Sequence, residues 1–155
     1  MIFPLRSVFI AGYLTILFAA SAAAFESSHN YEPGPLVLPA TGTVQVAFTP
    51  GDDAGKLIVD AINSAQHQVL VQAFSFTHLK IAEALIEAKR RGVDVKVIAD
   101  KDQTHRIPTS VIARIVAGGV PVFIDSDHTS AHNKIMVIDA GSPGAALITG
   151  SFNFT

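Results

Sequence analysis

From Val44 onward, apolar positions switch repeatedly between the two-residue period of a strand and the three-to-four-residue period of a helix. Val44–Thr49 reads as a short β segment, and Asp52 and Asp53 then offer N-cap chemistry for a helix running to about Gln66. Leu57, Ile58, Ala61 and Ile62 form the apolar face of that helix. Gln68–Phe76 alternates Val69, Val71 and Ala73 with Leu70, Gln72 and Phe74, as a strand does. Thr77 is placed to cap a second helix, in which Ile81, Ala82, Leu85, Ile86 and Ala88 recur at helical spacing. Lys89, Arg90 and Arg91 fall in its last turn and Gly92 ends it. Val93–Ala99 is a β-branched strand, Asp100–Pro108 a polar loop, and Thr109–Ala117 a helix ended by Gly118 and Gly119. Three more strands follow at Val120–Ile124, Asn133–Asp139 and Ala145–Thr149, the last two a hairpin around Ala140–Gly144. No internal repeat is visible. Strands separated by helices imply an α/β sheet with helices on its faces.

The N-terminal stretch has a different character. Arg6, an apolar run from Val8 to Phe18 and small residues ending at Ala24 have the layout of a secretory signal peptide. Cleavage near Ala24 predicts an exported protein, periplasmic in a Gram-negative host, with no stable membrane span left. A retained anchor is the alternative, because the run has a length where the two overlap. Residues 25–43 are rich in Ser, Pro and Gly and read as a linker or arm, leaving 44–155 as the folded domain. At 155 residues, 49% apolar and 15% charged, the chain fits one folded domain rather than a disordered one. Zero cysteines exclude a disulfide framework and thiolate metal sites. Without Arg6, 10 of the 11 basic residues stand against 13 acidic ones, a balance of −3. An acidic chain is not drawn to nucleic acid by its overall field, so any attraction for phosphate must be local.

The chemistry concentrates at His132-Asn-Lys134, four further residues, Asp139, and then Gly150-Ser151-Phe152-Asn153. Strand alternation puts His132 and Lys134 on one face, with Asp139 on the other. If the hairpin pairs Asp139 with Ala146, Lys134 stands opposite Ser151 and His132 opposite Asn153. Four polar groups then converge at cross-strand separations of about 4.5–5.5 Å, close enough to grip one phosphate. A lone His-x-Lys is more often a solvated edge. Here Ile135, Val137 and Ile138 mark a buried strand, and a buried ammonium needs an anionic partner. Other candidates carry less. Asp125, Asp127 and His128 read as a polar loop rather than a metal site. Lys101, His105 and Arg106 follow a strand, where contacts to a phosphate backbone are plausible. Lys89–Arg91 reads as a helix terminus, and His29, His67 and His78 have no supporting context.

His132-x-Lys134-x4-Asp139 with Gly150-Ser151-x-Asn153 resembles the signature of the phospholipase D superfamily. With Ala73–Thr77, Ala88–Lys96 and Gly150–Thr155, it is similar to that superfamily's small single-motif bacterial endonucleases over about 44–155. The resemblance implies a mixed β-sheet flanked by helices on both faces. It implies a cofactor-free and metal-free phosphodiesterase with a phosphohistidine intermediate on His132. Lys134 and Asn153, with Ser151 nearby, would hold the non-bridging oxygens, and Asp139 would orient or pair structurally. One motif where the family uses two implies a homodimer that brings two His132 side chains together. Two features depart from the pattern. Ten residues rather than the usual six separate Asp139 from Gly150, and the family's further strand and terminal helix do not follow Asn153, so truncation is expected. A metal-independent nonspecific endonuclease on DNA or RNA is the leading expectation. A phospholipase D acting on phosphatidylcholine-type lipids and an inactive phosphate-binding remnant are the alternatives.

Overall fold

A computed structural model of the chain describes residues 42–155, and Thr43–Thr155 forms one compact unit. The expected signal peptide (1–24) and nearly all of the arm (25–43) lie outside the described residues.

Asp53 caps the first helix, α1 (Ala54–Ser64), by accepting the Lys56 N–H at 2.8 Å, and Ile58 and Ile62 turn inward. Strand β1 (Gln68–Ala73) alternates as expected and leads to α2 (Leu79–Arg90). His78, not Thr77, stands at the N-cap of α2, its Nδ1 accepting from the Ile81 N–H at 3.4 Å. Gly92, at φ 93°, ends the turn after α2 in the left-handed region that favours glycine. Arg91 donates across to the Ile62 carbonyl at 3.1 Å, which closes the C-terminus of α1. Next come β2 (Asp94–Asp100), α3 (Lys101–Arg106), α4 (Ile112–Ala117), β3 (Val122–Asp125), β4 (Lys134–Ile138) and β5 (Ala146–Thr149).

The sheet order is β3-β2-β1-β4-β5. The first three strands run parallel, and β4 and β5 are antiparallel to their neighbours, a mixed α/β sheet. Val69, Val71, Val95, Val97, Met136 and Ile138 form one buried face, packed in a single core with Ile58, Ile62, Ile81, Leu85 and Ile115. Each such side chain removed from water contributes about 1.5–3 kcal/mol.

Four expectations need correction. Val44–Thr49 is not a strand: it finds no partner strand among the described residues, and Val44, Val46 and Phe48 are exposed. Alternation alone cannot make a strand where no neighbour supplies the ladder. Asp100–Pro108 contains a short helix rather than a loop, because the Asp100 carboxylate caps it through the Gln103 N–H at 2.8 Å. Helices on both faces are not found among the described residues. The crossovers β1-α2-β2 and β2-α4-β3 step in the same direction, so right-handed connections put both helices on one side. Across the sheet Ile98, Phe123 and Leu147 are exposed.

The hairpin register is the fourth. Ile138 pairs with Ala146 and Ile135 with Thr149, one residue away from the register that opposes Asp139 and Ala146. Asp139 leaves the strand at φ 48° because its carboxylate is used elsewhere. It accepts the backbone N–H groups of Gln66, His67 and Gln68 at 2.8, 2.7 and 2.8 Å. Its own N–H donates to the Gln68 carbonyl at 2.9 Å. The turn therefore begins at Asp139, and a one-residue slip exchanges every facing pair.

These N–H groups, Gln66 first, hold the Asp139 carboxyl below the usual carboxylate range against the opposing effect of burial. A depressed folded value means that the stabilisation is complete above the unfolded value of about 4 and is lost as pH falls through the folded one. Asp139→Asn is expected to lower the unfolding temperature at neutral pH. The gap from the parent should narrow below about pH 4. Thermal unfolding followed by circular dichroism across pH checks this, and a gap independent of pH would contradict the clamp.

Candidate phosphate-binding site

The site begins where β1 stops. Ala73 pairs with Lys134, and the next N–H, of Phe74, donates to the Asn133 carbonyl at 2.8 Å. This fixes the segment carrying His132 beside the Phe74 ring. The His132 imidazole meets that ring edge-on, with centroids 4.4 Å apart and planes at 64°. Lys134 comes from the buried face of β4 and is only 8% exposed. Its Nζ lies 5.1 Å from the centre of the Phe74 ring and donates to the His132 carbonyl at 3.2 Å. A single carbonyl and a ring face compensate an ammonium incompletely, which suits it to an anionic ligand.

Ser151 and Asn153 reach the same end of the sheet by another route. The β4–β5 ladder ends at Ile135 and Thr149, so Lys134 does not face Ser151 and His132 does not face Asn153 as cross-strand pairs. Past Gly150 the chain turns away. Phe154 forms a parallel bridge with Phe76, and its carbonyl accepts the N–H groups of Thr77 and His78, both at 2.8 Å. The Phe154 ring is buried on Phe76, with centroids 5.5 Å apart. His132 and Lys134 are thus tied to Phe74, and Asn153 is carried beside Phe76 and Thr77. Both tethers lie within the few residues that follow β1. Asn153 Oδ1 is buried and lacks a hydrogen-bond partner among the described residues, while Ser151 is exposed. Asp139 sits at the far end of β4, clamped to residues 66–68, and takes no place beside His132.

The weaker candidates separate in the same way. Lys101 and Arg106 are exposed on α3, immediately after β2, and Arg106 pairs with Asp102 at 3.5 Å. Asp125 turns its carboxylate onto its own loop, accepting from the Asp127 and His128 N–H groups and meeting His128 Nδ1 at 3.0 Å. That carboxylate raises the His128 imidazole above its ordinary value. Two residues that the pattern of polar positions does not flag also belong to the site. Phe74 reads as one more apolar strand residue, and only its pairing with Asn133 reveals its place. Asp100 is 2% exposed and bridges α3 to Ala131, just before His132. Asp100-x-x-Gln103 at the end of a strand was a legible helix-start signal for it.

Known proteins share this fold. Residues 58–155 match the family described as cardiolipin synthase, PLD-like domain. The chain belongs to this phospholipase D-like family. It is 35% identical over 112 residues to a phospholipase D of Rickettsia bellii, an alignment covering 72% of this chain and 53% of that protein. A mitochondrial cardiolipin hydrolase of Chlamydomonas reinhardtii is 32% identical over 97 residues, or 63% of this chain and 41% of the relative. The chain thus spans about half the length of the curated relatives that it matches. Among solved structures, Nuc from Salmonella typhimurium, a phospholipase D family member, superposes with a TM-score of 0.65. It is 37% identical, with 73% of this chain and 72% of that one covered. NucT from Helicobacter pylori shares the fold at a TM-score of 0.53 and 23% identity, over 64% of this chain and 66% of that one.

The incomplete compensation of Lys134 generates a stability test. Lys134→Met keeps the length of the stem and removes the desolvated charge. It is expected to stabilise the chain by about 1–3 kcal/mol, the cost of leaving such a group short of partners. Urea denaturation measures this. A destabilised variant would show that the ring and the carbonyl already satisfy the ammonium.

Proposed function

We propose that the chain is a phosphodiesterase that cleaves P–O bonds through a phosphohistidine on His132, and that its substrate is nucleic acid. The observation that carries the reading is the placement of one exposed imidazole and one buried, under-compensated ammonium against the same ring, Phe74. In this reading the neutral imidazole attacks phosphorus, forming a P–N bond as the P–O bond to the leaving alkoxide breaks. Lys134 and the Asn153 carboxamide, with Ser151 at the rim, stabilise the charge on the non-bridging oxygens. Lys134 supplies locally the positive charge that metal-dependent phosphodiesterases draw from an ion, so the reaction proceeds in chelator. A second imidazole protonates the alkoxide and then activates the water that cleaves the P–N bond. With a single motif, that imidazole is His132 of a second copy in a two-fold dimer, and the exposure of His132 leaves it accessible to such a partner. Asp139 has a structural role. Export through the N-terminal segment completes the proposal.

Nucleic acid is favoured by the resemblance to single-motif endonucleases. Phospholipid is the second reading, favoured by the relatives named phospholipase D and cardiolipin hydrolase. Both substrates present the same diester to the same groups. Incubating the full chain in chelator with plasmid DNA and, separately, with phosphatidylcholine or cardiolipin vesicles separates the two. Nicking of the plasmid is expected, and turnover of lipid alone would end the nuclease reading. His132→Asn should lower hydrolysis by a factor on the order of 10³ or more while the chain stays folded. Lys134→Met should lose activity comparably despite its greater stability.

A further inference from the structure

We infer that Asp100 is a positioning residue for His132, fixing where the imidazole stands relative to Lys134 and to helix α3. The inference rests on the reading of His132 as the nucleophile. Asp100 touches no reacting group, and its effect is carried through the backbone. It ends β2 beside β1 and is 2% exposed, and its two carboxylate oxygens have separate tasks. Oδ1 accepts the Gln103 N–H at 2.8 Å and starts α3, the helix that bears Lys101, His105 and Arg106. Oδ2 accepts the N–H of Ala131 at 2.9 Å. Ala131 is itself buried, and its carbonyl accepts the Asn133 N–H at 2.8 Å, so the chain folds tightly around His132.

His132 is therefore pinned from both sides. Asp100 holds the residue before it, and the Phe74 N–H holds the residue after it. These two bonds, together with the Phe74 ring, leave the imidazole little freedom to wander from Lys134. Without Oδ2, the buried Ala131 N–H has no acceptor and the loop must move to find one. A shift of even an ångström at a nucleophile is costly, because attack requires close approach and alignment. The same carboxylate ties α3 to the His132 loop, so a ligand resting on α3 is held in register with the nucleophile.

Asp100→Asn and Asp100→Ser, made in the full chain, test this. Both residues serve as helix N-caps, so the Gln103 N–H stays satisfied while the acceptor for Ala131 is lost. For hydrolysis of bis(4-nitrophenyl) phosphate, kcat should fall by about 10- to 100-fold with KM little changed. The Cε1–H signal of His132 in carbon–proton correlation spectra should shift or broaden, while those of the other histidines stay in place. An unchanged kcat in a folded variant, a change confined to KM, or an unaltered His132 signal would each overturn the inference. Failure of both variants to fold would assign Asp100 to folding instead and overturn it as well. If the parent chain hydrolyses no diester, the hydrolytic reading fails on its own, and the His132 signal still decides whether Asp100 positions that ring.

Discussion

The backbone just past β1, from Phe74 to His78, is the constraint on which the site depends. Parallel pairing with β2 and antiparallel pairing with β4 hold β1 at the centre of the sheet. Its continuation cannot move without breaking both ladders. Phe74 fastens the His132 segment through one backbone hydrogen bond, and Thr77 and His78 fasten the Asn153 segment through two more. Side chains separated by some twenty residues of sequence are thereby brought to one end of the sheet by neighbours on a single rigid edge. A site built on strand ends in this way inherits the precision of the sheet, as preorganised catalysis requires.

Electrostatics reinforces the geometry. The chain is acidic, yet the two buried carboxylates among its described residues leave Lys134 unquenched. The Asp100 oxygens are occupied by the Gln103 and Ala131 N–H groups, and those of Asp139 by residues 66–68. Among the described residues Lys134 enters no ion pair, whereas the exposed cations Lys56, Arg90, Lys96, Arg106 and Arg114 each face an acid. Surface pairs of that kind are weak and screened. Among the described residues the buried cation is Lys134, left without an acid beside His132, so any attraction for phosphate is local in a chain that is acidic overall.

Much of this was legible in the residues. Alternation and helical spacing located α1, β1, α2 and β2 to within a few positions, because each has a clean apolar face and a usable cap. The spacing of His132, Lys134, Asp139 and Asn153 pointed to the family. What escaped depended on long-range partners. The role of Asp139 is set by N–H groups some seventy residues earlier in the chain, and no local rule forecasts that it leaves the strand. The hairpin register shifted with it. Val44–Thr49 alternates correctly but lacks a neighbour, and α3 hinges on how strongly Asp100 caps a polar run.

The misjudged register also shows what places Asn153 in its stead. Had Ser151 and Asn153 been placed only by the β5 ladder, a one-residue slip would have turned both side chains away from Lys134. The ladder instead releases the chain at Thr149, and Phe154 takes over as the anchor by burying its ring on Phe76. Length in the hairpin loop therefore matters little to the site, because the loop lies at the opposite end of β4. This accounts for ten residues standing where the family pattern has six. The loop can lengthen freely so long as Phe154 still reaches Phe76, and the position of Asn153 is governed by an aromatic contact rather than by the turn that precedes it.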